Sequence, residues 1–475
     1  MNKRLKSLCY ILLIGCKAFS QSDSVKIFTL KQCVETAISN NLQVKQSDLL
    51  VQDAAISVKQ AKANQLPSLS GNLNHGISQG RSIDPFTNSY SDQSIVYGNY
   101  NINTSIVLSN GYQLKSLVKE NQLAYEGTKW DLQTARDNLT LNIILAYLQI
   151  LNNEELVLQS ENQAALTKKQ VERLDILNKE GAIIPSQLYE LKGQLSNDEL
   201  SVVTNQNALQ TSRLTLSQLM NIPYDPNMEV EKLTADNYAV YSTEAGTIYN
   251  SAVQNLAEVK AAGYKTQSAA KAIDVARADL YPQIGLGGSI NTNYSNAAAT
   301  NIFLNSVQVP SGDYVTLNGS QLPVITTKSN YNVQKINYFN QFTNNYNTSV
   351  GVSIHIPILN AWRARNNIAL AKNTLKSYQY TEELTKTQLR QSVEQAYLNM
   401  TSAYKKYQLL LQQVADFTEA FRGAEVRFTE GVSTEVDYLI AKNNLDRAKI
   451  NLISARYDYV FQTRILDFYQ GKLVL

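Results

Sequence analysis

The chain has 475 residues, with 43 Lys and Arg against 40 Asp and Glu, and only 17% of its residues are charged. A formal net charge of +3 gives no electrostatic basis for nucleic acid binding, which requires a marked excess of basic residues. Two His and three Cys offer little for a metal site or a disulfide framework. No nucleotide-binding loop or nucleophile motif is present, so the sequence predicts neither an enzyme nor a cofactor.

The first residues have the pattern of an export signal. Basic side chains within residues 3–6 precede an apolar run over residues 8–15, and residues 18–20 place small side chains where a signal peptidase cleaves. We therefore predict a signal peptide over residues 1–20. The run ending at Cys16 also resembles a lipobox, in which Cys16 becomes the lipidated first residue, and both processing routes remain open.

The rest of the chain is a tandem duplication. From Ala37 to Pro67, residues of the first copy recur in the second at one constant spacing, as Ala252 to Pro282. From Asn110 to Leu195 they recur at a second, larger constant spacing, as Asn360 to Leu445. The spacing grows by about 35 residues between these blocks, which indicates one expanded loop in the second copy. We predict a first repeat over 21–221, a linker over 222–245, and a second repeat over 246–475 with a longer extracellular loop at about 295–345.

Each repeat has the same predicted order of elements. A helix over about 30–66, or 247–281 in the second copy, ends near a proline and is followed by a strand pair. A very long helix over about 112–178, or 362–429, leads to a glycine turn and a return helix of about 35 to 40 residues. Ala and Leu alternate along the last helix as they do in coiled coils, and by themselves these helices would also suit a plain coiled-coil protein.

Four segments alternate between apolar and small polar residues, namely 68–78, 100–108, 283–294 and 346–358. This alternation is typical of transmembrane β-barrel strands and also of a half-buried soluble sheet. The export signal, tyrosines near the strand ends and a long uncharged loop favour the barrel. No later segment is apolar for long enough to form a membrane-spanning helix, so a membrane location would require strands.

Four strands are half of the smallest closed barrel, and lipid does not tolerate open strand edges. The chain must therefore associate, and three copies supply twelve strands. We predict an α+β membrane protein whose protomer contributes four β-strands to a twelve-stranded trimeric β-barrel. A periplasmic structural or adaptor coiled-coil protein with a soluble sheet is the alternative.

The predicted elements occur twice in one order, namely helix, strand hairpin, long helix, tip and return helix. This order resembles the TolC-type outer membrane efflux protein family over essentially the whole mature chain. Local matches include Ala276–Pro282, the Ala-Tyr-Leu triplets at 146–148 and 396–398, and Gly431 followed by Asp437. The resemblance implies a homotrimer in the outer membrane that continues across the periplasm as an α-helical coiled-coil barrel. It also implies a periplasmic adaptor (membrane fusion) protein and an inner-membrane transporter of the resistance-nodulation-division, ABC or major facilitator type as partners.

The resemblance places a channel gate at the tip of the second repeat. The family positions that hold the tip closed correspond to Asp437, Ile440, Ser433 and Phe428, and only Asp437 keeps the family's residue type. Glu435 is adjacent to this set, and Gln187 is the first-copy counterpart of Asp437. Three Asp437 carboxylates would favour cations, although a carboxylate at a helix start is equally favoured by the helix dipole.

Adaptor docking is expected at the two tip turns. The residues concerned are Gly181 and Ser186 in the first copy, and Gly431 and Thr434 in the second. Glycine at a helix end is equally explained as a left-handed C-cap.

Overall fold

The computed structural model describes residues 27–83, 88, 90–91, 94–232 and 240–472. The predicted signal peptide and Cys16 lie outside the described residues. The chain divides into two compact units. A helical unit comprises the residues up to Ala54, Ala124–Thr266 and Ser377 onward, and a strand-rich unit comprises Ala55–Leu123 and Gln267–Lys376.

The same series of elements occurs twice along the chain. The first series is β1 (Ile27–Phe28), α1 (Leu30–Asn40), α2 (Leu42–Ala63), β2 (Ser68–Ser78), β3 (Ser82–Ile83), β4 (Tyr90–Ser91), β5 (Ile95–Asn110), α3 (Gln113–Lys179) and α4 (Pro185–Met220). The second is β6 (Glu229–Val230), α5 (Ala245–Asn255), α6 (Ala257–Arg277), β7 (Gln283–Ser295), β8 (Ala299–Leu317), β9 (Ser320–Lys335), α7 (Tyr338–Asn344), β10 (Asn347–His355), α8 (Arg363–Thr429) and α9 (Glu435–Gln470). The long helices α3 and α8 both have 67 residues, and the return helices α4 and α9 both have 36.

The predicted first helix of each repeat is divided in two. At Asn41 the backbone turns to an extended conformation, and the Asn41 side chain accepts hydrogen bonds from the backbone N–H groups of Gln43 and Val44 at 2.9 and 3.2 Å. Asn41 therefore ends α1 and caps α2, which is the role that Asn favours at helix ends. Leu256 has the same extended backbone between α5 and α6, and its side chain is buried in the core.

Three apolar clusters hold the described part of the helical unit together, and the smallest surrounds Leu191 of α4. Of the two larger clusters, one surrounds Ile143 and Tyr147 of α3, and the other surrounds Val393 of α8 and Leu466 of α9, all four fully buried. The Tyr147 hydroxyl donates to the carbonyl oxygen of Glu231 at 2.6 Å, directly after the short parallel pairing of β1 with β6. The linker is thus held against α3 next to β6.

The four predicted barrel-type strands form one antiparallel sheet in the order β10-β7-β5-β2. The register places Asn72, Asn101, Asn291 and Asn347 in a single row across all four strands. The neighbouring row on the other face contains Leu73 and Tyr100, followed along the strands by Ile102 and Ile290. The sheet therefore has one amide-rich face and one apolar face.

The predicted extracellular loop of the second repeat is largely a β-ribbon. Strands β8 and β9 pair as an antiparallel hairpin of 19 and 16 residues, closed by Asn318 and Gly319 with φ values of 49° and 81°. Asn-Gly is the pair preferred in a type I′ hairpin turn, so the sequence contained a hairpin signal that the loop prediction overlooked. Among the described residues, no helix is both long and apolar enough to cross a membrane.

Candidate functional site

The two tips of the helical unit share one turn geometry. Gly181 and Gly431 have φ values of 69° and 73°, in the left-handed region that favours glycine. In each turn the N–H of the following residue donates back into the last helical turn, from Ala182 to Leu177 and from Val432 to Arg427, both at 2.8 Å. This is the Schellman arrangement that ends a helix. Both glycines predicted for adaptor docking therefore have a conformational role in the turn.

The return helices begin differently. Helix α4 starts with Pro185 and has no side-chain cap, whereas Thr434 caps α9. The Thr434 hydroxyl accepts from the Asp437 N–H at 3.2 Å and donates to the Asp437 carboxylate at 2.7 Å. Hydrogen bonds from the side chain and backbone of Thr434 lower the pKa of Asp437. Asp437 is exposed and ionised, and its carboxylate stabilises the start of its own helix.

Glu435 is the most unusual predicted gate residue. Its side chain is 2% exposed, and neither carboxylate oxygen has a hydrogen-bond partner within the described part of the protomer. Burial raises the pKa of Glu435 to about 7, and the nearby Glu190 of α4 adds to the shift. Since an uncompensated buried charge is costly, the protonated form of Glu435 is favoured in this structure.

Aromatic rings pack beside the second tip. Phe428 of α8 stacks on Tyr438 of α9 with ring centroids 4.8 Å apart and planes inclined by 21°. Arg173 of α3 lies 5.9 Å from the Phe428 ring and donates to the carbonyl oxygen of Thr429 at 2.7 Å. The first repeat therefore holds the end of α8 through Arg173 and through the packing of Phe428 on the apolar cluster around Leu191.

A buried ion cluster lies further along the same helices. Lys442 of α9 is 1% exposed and donates to Asp198 of α4 at 3.0 Å and to Asp446 at 2.7 Å. Thr167 of α3 and Gln194 of α4 also donate to Asp198. Burial raises the pKa of Asp446 in spite of the neighbouring Lys442. The cluster joins helices of both repeats, and removing one partner would leave buried charge uncompensated.

The structure brings together only part of the predicted set. Two of the predicted residues, Asp437 and Thr434, contact each other. Phe428 instead stacks on Tyr438, a residue that the sequence did not indicate. Ile440, Gly181, Gly431 and Ser186 are exposed, while Gln187 and Ser433 are half-buried.

Arg173 and the ion cluster were also missed. Lys442 has a repeat counterpart in Lys192, and that recurrence was its only signal in the sequence. Lys192 remains 45% exposed beside Asp175, so the duplication alone could not distinguish the buried lysine from the exposed one.

The fold defined by these elements is that of outer membrane channels. The solved structure of CusC superposes with a TM-score of 0.74 at 16% identity, covering 93% of this chain and 91% of that one. The outer membrane protein VceC from Vibrio cholerae gives a TM-score of 0.73 at 15% identity, with 93% and 96% covered.

The sequence comparisons define the family. The profile described as "Outer membrane efflux protein" matches residues 33–221 and 248–471, and the chain belongs to this family. It is similar to toxin and drug export protein A of Aggregatibacter actinomycetemcomitans, with 21% identity over 448 residues covering 91% of this chain and 83% of that protein. The predicted family is thus confirmed, together with an outer membrane location and a function in transport and not in enzymatic catalysis.

Proposed function

We propose that the chain is a homotrimeric channel that serves as the exit duct of a tripartite efflux pump or a type I secretion system. Transport through the duct is passive. An inner-membrane transporter supplies the energy, and a periplasmic adaptor (membrane fusion) protein connects that transporter to the helical tips. The α-helical coiled-coil barrel and the twelve-stranded β-barrel of the trimer are part of this proposal.

The two-faced sheet carries the proposal. Leu73 and Val350 on its apolar face are each 81% exposed in the protomer, which suits contact with lipid. The opposite face contains the row of four asparagines, and the Asn72 amide donates to Asn101 at 3.0 Å. Strands β2, β5, β7 and β10 contain no Asp, Glu, Lys or Arg. A wall that is polar without charge suits a water-filled path that admits varied cargo.

The sheet edges support association of three copies. Among the described strands, β2 and β10 each pair with a single neighbour, so each has one free edge. Free strand edges are not tolerated in lipid, and four strands are too few to close a barrel. Pairing β2 of one copy with β10 of the next removes every free edge, and three copies form a twelve-stranded barrel.

Cysteine crosslinking tests this pairing. Asn72→Cys on β2 is combined with cysteine at Asn347, Ser349 or Gly351 on β10, one position at a time, because these three residues lie on the same face of the sheet as Asn72. Oxidation is expected to give covalent trimers on denaturing gels for one register. Asn101→Cys on the central strand β5, combined with the same β10 cysteines, is the control and should give no covalent trimer. A monomeric mass in detergent, with no crosslinking at any register, would contradict the proposal.

The tips are the proposed docking sites for the adaptor. Ser186 and Ser433 stand at the two turns, and a photoreactive side chain at either position is expected to crosslink to the adaptor in cells. The same side chain at Thr204, an exposed position of α4 away from the turn, is the control. If Thr204 crosslinked as strongly as both turn positions, the tips would lose their assigned role.

We also propose that the gate set acts at the second tip, with exposed Asp437 drawing cations toward the opening. Asp437→Asn is expected to reduce cation selectivity in single-channel recordings. Glu430→Gln, which removes an exposed charge from the same turn, serves as the comparison. Equal selectivity in Asp437→Asn and the unmodified channel would refute the role of Asp437.

A further inference from the structure

The two junctions where strands pass into the long helices have the same unusual pair of side chains. Tyr112 follows β5 and Trp362 follows β10, and they are 73% and 63% exposed. Three residues later each helix presents a cation to the ring, Lys115 at 5.4 Å from the Tyr112 centroid and Arg365 at 4.6 Å from the Trp362 centroid. We call these the two aromatic–cation pairs.

The sheet register places both pairs at the same end of the sheet. Asn110, Gln283 and His355 lie in one row across β5, β7 and β10. Strands β5 and β10 run in the same direction, because each is antiparallel to β7. In the segment between β10 and α8, Ile358 and Leu359 are 93% and 88% exposed. The aromatic–cation pairs therefore border an exposed apolar surface.

The backbone and the local charges at both junctions oppose ordinary preferences. Tyr112 and Trp362 have φ values of 64° and 65°, in the left-handed region that bulky residues rarely adopt. Neither α3 nor α8 has an acidic residue in its first turn, although the helix dipole favours one there. Among the described residues, neither Lys115 nor Arg365 forms an ion pair, so both cations are available to an anion from outside the protomer.

A second aromatic group marks the opposite end of the apolar face. Tyr100 packs on Phe342 of α7, and Tyr294 packs on Tyr338, with ring centroids 5.2 and 4.7 Å apart. Tyr100 and Tyr112 are about 12 residues apart along one strand direction, which corresponds to about 28 Å along the membrane normal at a tilt of 45°. The apolar band of a membrane barrel is about 25 Å tall between two aromatic girdles.

We propose that the two aromatic–cation pairs bind phospholipid headgroups of the periplasmic leaflet of the outer membrane. Tyr112 and Trp362 lie at the boundary between acyl chains and headgroups, and Lys115 and Arg365 bind the phosphate. The proposal rests on the proposed function, in which the four-stranded sheet is inserted in the outer membrane. In the trimer it provides six headgroup sites around the junction of strands and helices, and these sites fix the depth at which the channel sits.

Trp362 itself reports the depth. The chain has two tryptophans, so Trp130→Phe leaves Trp362 as the single tryptophan, whose fluorescence is excited selectively at the red edge of the absorption band. In vesicles of phosphatidylglycerol and phosphatidylethanolamine, a nitroxide on the headgroup is expected to quench Trp362 several-fold more strongly than a nitroxide deep in the acyl chain. A companion channel carries Trp130→Phe, Trp362→Phe and Val350→Trp, and its tryptophan on the apolar face is expected to be quenched mainly by the deep label.

The two probes separate the possible failures. If Val350→Trp is quenched and Trp362 is quenched by neither label, the headgroup sites are refuted, while the insertion of the sheet in the membrane is supported. If neither probe is quenched, the headgroup sites, the insertion of the sheet and the proposed channel are all refuted.

Lipid retention tests the cations. Lys115→Ala with Arg365→Ala is expected to reduce phosphatidylglycerol retained by the trimer in native mass spectrometry, by about fivefold for each cation removed. Lys168→Ala with Arg422→Ala, on exposed positions of the same two helices, is the control and should retain lipid as the unmodified trimer does. Equal retention by both variants would overturn the proposal. Displacement of the lipid by millimolar inorganic phosphate would also overturn it, because it would show a free-anion site.

Discussion

Replacing Glu435 with Gln tests whether a buried carboxyl group makes the second tip sensitive to pH. In the folded tip the pKa of Glu435 is raised from 4.5 to about 7, chiefly by burial. The folded tip therefore binds more protons than an opened tip between those two pH values. Its stability is greatest below pH 4.5 and falls as the pH rises toward 7.

The shift of about 2.5 units corresponds to about 3 kcal/mol lost above pH 7, at about 1.4 kcal/mol per unit. Gln at this position carries no charge at any pH. Glu435→Gln is therefore expected to match the unmodified tip at pH 4 and to be more stable by as much as about 3 kcal/mol at pH 8. That difference is about a hundredfold in the population of the opened tip.

Hydrogen exchange measured by mass spectrometry over the end of α8 and the start of α9 reports this population, after correction for the intrinsic effect of pH on exchange. Glu190→Gln removes the second cause of the shift and should give a smaller change of the same sign. Glu430→Gln removes an exposed charge and should leave protection unchanged. Equal protection of Glu435→Gln and the unmodified tip at pH 8 would show that the Glu435 carboxylate does not destabilise the folded tip.

Three further predictions concern the same helices. Lys442→Met leaves its two carboxylate partners buried without a cation, and it is expected to lower the free energy of unfolding by about 3 to 5 kcal/mol. Lys192→Met at the exposed counterpart should change that free energy by less than about 1 kcal/mol. Thermal unfolding in detergent measures both variants. Thr434→Ala removes the cap of α9 and is expected to cost about 1 kcal/mol, seen as faster exchange confined to the start of that helix. Gly431→Ala forces a side chain into a left-handed conformation and should destabilise the turn by about 1 kcal/mol. Gly423→Ala, inside α8 and with open space at the added methyl group, should instead stabilise that helix by a similar amount, and a change of the same sign in both glycine variants would contradict the turn argument.

Much of the fold could be predicted from periodicity and repetition. The alternation within 68–78 and 283–294 agrees with β2 and β7 to within one residue. The long and return helices were placed correctly because none of them has an interior proline and because a glycine stands in the turn between each long helix and its return helix. The missed features depended on short signals, such as the Asn318-Gly319 turn and the helix break at Asn41.

The tip was less predictable, because burial there is decided by packing between the two repeats. Glu435 and Asp437 are two residues apart in the same first turn. The spacing of Thr434 and Asp437 indicates a capping box, but no feature of the sequence indicates that Glu435 is buried. Helix rotation turns Glu435 toward Glu190 and leaves Asp437 exposed in a capping box. The same packing buries Lys442 and leaves Lys192 in solvent.

The sequence by itself determined the family, the duplicated order of elements and the two faces of the strands, because each depends on spacing along a single element. Only the tertiary structure decided which polar side chains are deprived of water. Desolvation depends on what neighbouring helices bring close, and those neighbours lie far away in sequence, as Asp198 does from Lys442. The tertiary structure also aligned Tyr112 with Trp362, because strand register, and not sequence spacing, places the ends of β5 and β10 in one row.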